Sequence, residues 1–148
     1  MAMTEEEAQA IGEFYAAVDR LKSLKIVRSD KYLGDIAEFL AKSELGMTIA
    51  ESQRQEGYDG HIGERKLQVK YSGGTSNTVD AGDPSAYDDL VIILGPQSVL
   101  RPDKLSDPYV YYRIPSEVVK MKAAHADKKI RFSVRQIPQS YRVVSGRE

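Results

Sequence analysis

The sequence predicts an α/β (α+β) domain: a central mixed sheet flanked by helices, with an extra helix at the N-terminus. Apolar residues follow a helical period over roughly the first 45 residues, and the period then changes to two. A continuous apolar run closes the segment Tyr87 to Leu94 (YDDLVIIL), as expected of a strand covered on both faces. The 148 residues, 41% hydrophobic and 29% charged, fit one domain spanning 1–148. A domain of this size folds without disulfides or a structural metal. The absence of cysteine excludes a disulfide scaffold, a thiolate zinc site and a cysteine nucleophile.

The first helix is expected over about 5–24, where Ile11, Tyr15, Val18, Leu21 and Leu24 keep helical spacing. Glu5 to Glu7 lie where a helix N-terminus favours negative charge. A second helix is expected from about Tyr32 to Leu45, with Leu33, Ile36, Ala37, Leu40 and Ala41 on one face and Gly46 as its stop. The polar linker between them, Lys25 to Lys31, is too long for a helix-turn-helix. Short strands are then expected over 47–50, 57–62 and 66–71, the last two joined by a turn at Gly63-Glu64. Strands over 87–94 and 109–114, a helix from Pro115-Ser116 to about Ala126, and a last strand over 130–134 complete the order. The polar stretch from Ser72 to Ala86 is long for a connection, and such loops are usually functional or disordered.

Charge is sorted along the chain. Residues 1–64 hold 13 acidic and 7 basic side chains, whereas residues 120–148 hold 2 and 8. The net charge of −1 argues against coating nucleic acid by bulk electrostatics, but the basic C-terminal stretch suits a phosphate backbone as well as it suits a solvated tail. No apolar run approaches the roughly 20 residues of a membrane span. The Met1 to Glu7 segment is acidic where a secretory signal is basic, so a cytoplasmic protein without membrane association is expected.

The most informative segment is Gly57-Tyr58-Asp59 with Gln68-Val69-Lys70 nine positions beyond the aspartate. Strand alternation puts Leu67, Val69 and Tyr71 on one face and Gln68 and Lys70 on the other. An acid, an amide and an ammonium converging at a sheet suit metal-assisted phosphodiester hydrolysis, with oxygen ligands holding Mg²⁺ and Lys70 orienting water or stabilising charge. Glu64-Arg65-Lys66 and Asp127-Lys128-Lys129 match the same bare pattern but lack flanking apolar alternation. From the second helix, Glu38 lies at the rim of the apolar face and is the acid expected at the site. Asp35 lies nearly opposite that face and is expected to meet water.

Gly34-Asp35-Ile36-Ala37-Glu38-Phe39-Leu40, Gly57-Tyr58-Asp59, Gln68-Val69-Lys70 and Tyr87-Asp88-Asp89-Leu90 together resemble the PD-(D/E)xK superfamily of restriction-endonuclease-like nucleases. More narrowly, the chain is similar to small stand-alone bacterial members with glutamine in the third motif. The resemblance covers about residues 28–134, leaving a basic tail over about 135–148. It implies a restriction-endonuclease-like core and Mg²⁺-dependent cleavage of DNA. Glu38 matches the helix acid, Asp59 the metal-binding aspartate, Gln68 the acidic position and Lys70 the lysine. No proline precedes Asp59, and Gln68 stands in place of a carboxylate, which weakens metal binding.

The expected function is therefore Mg²⁺-dependent hydrolysis of DNA, with Mn²⁺ as a substitute. Asp59, Gln68, the Val69 carbonyl and Glu38 surround the metal, and Lys70 organises the water. Arg28, Arg54, Lys128, Lys129 and Arg131 are candidate phosphate contacts. Two cuts in a duplex imply a homodimer. The alternative is a catalytically silent module of the same fold that binds nucleic acid or a protein. Asp59 as a turn cap, Lys70 as an exposed strand residue and Glu38 paired with Lys42 are the plain structural readings. His61 shares the strand parity of Asp59, and His125 suits a helix C-terminus. Asp88 and Asp89 suit loop amides better than a metal. The SGGT segment from Ser72 lacks phosphate-loop spacing, so no nucleotide cofactor is expected. Tyr109 and Tyr111 are expected to pack on the sheet.

Overall fold

A computed structural model describes residues 3–51, 57–102 and 107–144; Arg54 therefore lies outside the described residues. The chain forms a mixed α/β fold with one six-stranded mixed sheet, a small two-stranded sheet and three helices among those residues. Helix α1 (Glu5–Ser23) starts with a reciprocal cap. The Glu7 amide donates to the Thr4 hydroxyl at 3.1 Å, and the Thr4 amide donates to the Glu7 carboxylate at 2.9 Å. Helix α2 (Tyr32–Leu45) ends at Gly46, whose φ of +78° suits a residue without a Cβ. Among the described residues no helix is long and apolar enough to cross a membrane.

The main sheet runs β1 (Thr48–Ile49), β2 (Gly60–Ile62), β3 (Arg65–Ser72), β5 (Asp89–Leu94), β6 (Val110–Pro115) and β8 (Arg142–Val143). Strands β3 and β5 are parallel, and every other neighbouring pair is antiparallel. The turn between β2 and β3 carries Gly63 at φ +58°. All six residues of β5 are buried, which explains its unbroken apolar run. One face of the sheet (Leu67, Val69, Val91, Ile93, Tyr111) packs on Ala37 and Ala41 of α2. The other face (Leu90, Ile92, Leu94, Tyr112, Ile114) is covered by Val79, Ala81, Phe132 and Val119.

Three features differ from expectation, the first being that the segment after 134, expected as a basic tail, supplies β8, which pairs with β6 in the main sheet. The polar stretch after Ser72 contains strand β4 (Thr78–Asp80), which pairs with β7 (Arg131–Ser133) to form the second sheet. The parallel β3–β5 crossover is thus closed by a small sheet where a helix is usual. Helix α3 (Ser116–Lys120) is shorter than the expected reach to Ala126. Its apolar period stops at Val119, Met121 is 82% exposed, and residues 123–126 are exposed as well. His125 consequently lies outside any helix, and its amide donates to the Lys129 carbonyl at 2.8 Å in a turn.

Candidate functional site

Asp59 is placed by its backbone on both sides. Its amide donates to the Leu67 carbonyl at 2.7 Å, and its carbonyl accepts from the Ala50 amide at 2.9 Å. Two residues earlier, Gly57 sits at φ +79°, and a Cβ there would run into that of Ala86, so only glycine brings the chain in along this path. The paired register of β2 and β3 ends at Gly60 opposite Leu67. Beyond that point the strands fork, and the Asp59 carboxylate takes the next inward amide, accepting from Val69 N–H at 2.7 Å. A strand residue points its N–H and C=O to the same edge, so the Val69 carbonyl is directed into the fork as well.

Alternation along β3 buries Leu67 and Val69 and leaves Gln68 and Lys70 half-buried on the opposite face, in register with Leu90 and Ile92. The Lys70 stem runs beneath the loop after β4, where a Cβ added to Gly82 would lie 3.8 Å from Lys70 Cε. Burial pushes the Asp59 carboxyl up, while the Val69 amide and then the charges of Lys70 and Arg28 pull it down, leaving it above the ordinary carboxylate range. Lys70 therefore lies within electrostatic reach of Asp59 from one side of the fork.

From the other side comes α2. Glu38 accepts a hydrogen bond from Arg28 Nη2 at 3.2 Å, so its ion-pair partner is Arg28 and not Lys42 one turn on. Burial, then the neighbouring Asp59 charge, raise the Glu38 carboxyl to about 7, with Arg28 opposing and Asp35 adding to the rise. Asp35, expected in water, is buried. Its Oδ2 accepts from the amides of Arg28 and Ser29, both at 2.7 Å, and from the Ser29 hydroxyl at 3.0 Å. The segment leading into α2 folds back over the helix start and closes around this carboxylate. That closure holds Arg28 over Glu38. A cavity of about 340 Å³, lined by Asp30, Lys31, Gly34, Glu38, Tyr58 and Asp59 among others, opens where α2 meets the fork.

Of the expected site residues, Glu38 and Asp59 line one cavity, Lys70 reaches Asp59 through its charge without lining that cavity, and Gln68 lies half-buried on the Lys70 face. Among the described residues no group of three or more His, Cys, Asp or Glu is arranged to hold a metal ion. Glu38 and Asp59 line the cavity together with Asp30 and Asp35, the last already taken up by the Arg28 and Ser29 amides, and the Gln68 amide and the Val69 carbonyl would add neutral oxygen donors. Asp89 belongs elsewhere. It is buried between Arg65 and Arg113, at 2.7 and 2.9 Å, while Asp88 accepts from the Lys66 amide at 2.8 Å.

Among the candidate phosphate contacts, Arg28 is engaged by Glu38, and Arg131 is held by Asp127 at 2.6 Å. Lys128 and Lys129 border a second cavity of about 370 Å³ with Asp80, Gly82 and Asp83, so Gly82 joins this cavity to the Lys70 stem. His61 is exposed on β2. Tyr109 and Tyr111 pack with the α2-facing core, whereas Tyr112 lies in the opposite core and its hydroxyl donates to Gln139 at 2.9 Å. Sequence reasoning missed the Asp35 clasp and the approach of Gly82 to Lys70. Ser29, six residues before Asp35, is the one local signal for the clasp. No protein-family model matches the chain, and no curated protein matches it.

Proposed function

We propose that this protein hydrolyses phosphodiester bonds in DNA with the help of Mg²⁺, as a restriction-endonuclease-like domain of the PD-(D/E)xK type that its sequence resembles. The observation that carries the reading is the Asp59 carboxylate tied to the Val69 amide at the fork of β2 and β3, within reach of the Lys70 and Glu38 charges. Two part-buried carboxylates that both sit above their ordinary range form an acidic pair that a divalent cation would relieve. Asp59, Glu38, the Gln68 amide oxygen and the Val69 carbonyl would hold Mg²⁺, with Mn²⁺ able to replace it. When bound, the metal would polarise the scissile phosphate.

The chain's own groups do the rest. Lys70, a point charge on a flexible stem, orients the attacking water and offsets negative charge on the phosphate. The Asp35 clasp sets Arg28 against Glu38, which lines the cavity, and Lys128 and Lys129 offer backbone contacts beyond Gly82. That no group of three or more metal-ligating side chains is assembled among the described residues favours a second reading, a domain that binds nucleic acid or a protein without turnover.

The test compares wild type with Lys70→Ala on plasmid and short linear DNA, with Mg²⁺, with Mn²⁺ and with chelator, after circular dichroism shows equal folding. Metal-dependent cuts by wild type that vanish in the variant are expected. Equal cutting by both would overturn the assignment of the site. DNA retention without cutting, lost as salt rises, would install the second reading.

A further inference from the structure

Helix α1 is well started but poorly covered. Val18 is its one buried residue, while Ile11, Phe14 and Tyr15 are 49%, 48% and 59% exposed. At 100° per residue Ile11, Phe14, Tyr15 and Val18 share one stripe, so the part of the stripe ahead of Val18 stands open. The Phe14 ring meets those of Tyr15 and Tyr32 edge-on, at centroid distances of 5.3 and 5.6 Å. Leu24 and Leu33, each 60% exposed, extend the apolar surface at the α1–α2 corner. A soluble domain rarely leaves such a ridge uncovered.

Charge along α1 is sorted by position. Glu5, Glu6, Glu7 and Glu13 occupy the first half, and Arg20, Lys22 and Lys25 stand at or just past the end, with Asp19 as the exception. We propose that the ridge is a homodimer interface, in which α1 packs antiparallel on α1 of a second copy about a two-fold axis near Phe14 and Tyr15. In that arrangement Glu7 comes opposite Lys22, and the acidic end of each helix meets the basic end of the other, twice over by symmetry. A parallel pairing would oppose like charges. Nucleic acid and anionic lipid are both repelled by the glutamates. A helix of this length spans about 28 Å. Stable interfaces cover about 800 Å² per partner, so Tyr32, Leu24 and Leu33 at the corner join the contact. The inference does not depend on the reading of the fork as a nuclease site.

Sedimentation equilibrium on the full chain tests it. Wild type is expected to dimerise at micromolar concentrations, and Ile11→Glu with Tyr15→Glu is expected to weaken dimerisation about tenfold or more while the circular dichroism spectrum is retained. Two charge-reversed chains provide the second arm, one with Glu5, Glu6 and Glu7 changed to Lys, the other with Arg20, Lys22 and Lys25 changed to Glu. Each alone is expected to be monomeric, and the two mixed in equal amounts are expected to form a heterodimer. A monomeric wild type, a dimer indifferent to the ridge variants, or mixed chains that fail to associate would each overturn the proposal.

Discussion

Replacing Glu38 with Gln isolates the electrostatic cost of the fork. Glu38 is raised from 4.5 to about 7 by burial and then by the Asp59 charge. A carboxyl that binds its proton more tightly in the folded than in the unfolded chain costs nothing below pH 4.5, where both forms are protonated. The cost grows through the window from 4.5 to about 7 and is complete above it. A rise from 4.5 to about 7 corresponds to about 3 kcal/mol, a net figure that already includes the opposing pull of Arg28. Glutamine keeps the shape without the charge, so Glu38→Gln is expected to match wild type at pH 4 and to be about 3 kcal/mol more stable at pH 8, roughly 9 °C in Tm for a chain of this size. Urea denaturation from pH 4 to 8.5 reads the difference directly. Added Mg²⁺ is expected to recover much of the loss in wild type at pH 8 and little in the variant. A variant that is less stable at pH 8, or whose difference from wild type does not change with pH, would refute the reasoning.

Three further outcomes follow from the same geometry. Asp89→Asn removes the shared partner of Arg65 and Arg113, whose pull outweighs burial and holds the Asp89 carboxyl below its usual 3.8. The expected cost is about 1–3 kcal/mol at neutral pH. It should fade as the pH falls below 3.8, because the stability Asp89 provides is present only while it is ionised, and urea midpoints at pH 7 and pH 3 would show whether it does. Gly57→Ala combines a left-handed backbone with a collision against Ala86 and is expected to cost about 1–3 kcal/mol in thermal melts. Adding Ala86→Gly should recover only part of that loss, since the collision is relieved while the φ strain remains. Full recovery would show that φ carries none of the cost.

Much of the sheet was legible because its residues obey simple periods. Leu67, Val69 and Tyr71 alternate with Gln68 and Lys70, and the apolar run of β5 announces burial on both faces. The helix rim position of Glu38 was likewise readable from the 100° period. Asp35 was misjudged because a wheel reports only the side of the helix, and the amides it serves come from Arg28 and Ser29, upstream of the helix start. Strand β4 was hidden in a polar segment since three residues with one buried valine carry too little pattern, and its partner β7 lies some fifty residues away. The Arg65–Asp89–Arg113 cluster joins three strands, and no local spacing encodes such a meeting.

The pairing of β4 with β7 also sets an order of assembly. Leu90, Ile92 and Leu94 need the cover that Val79, just before them, and Phe132, some forty residues after them, supply together. A ribosome that has delivered the first hundred residues has therefore made the stickiest strand of the protein but not its lid. Closure is a late, long-range event of the kind that folds slowly and leaves intermediates prone to self-association. The last third of the chain, besides its basic charge, acts as the latch that makes the strands before it safe.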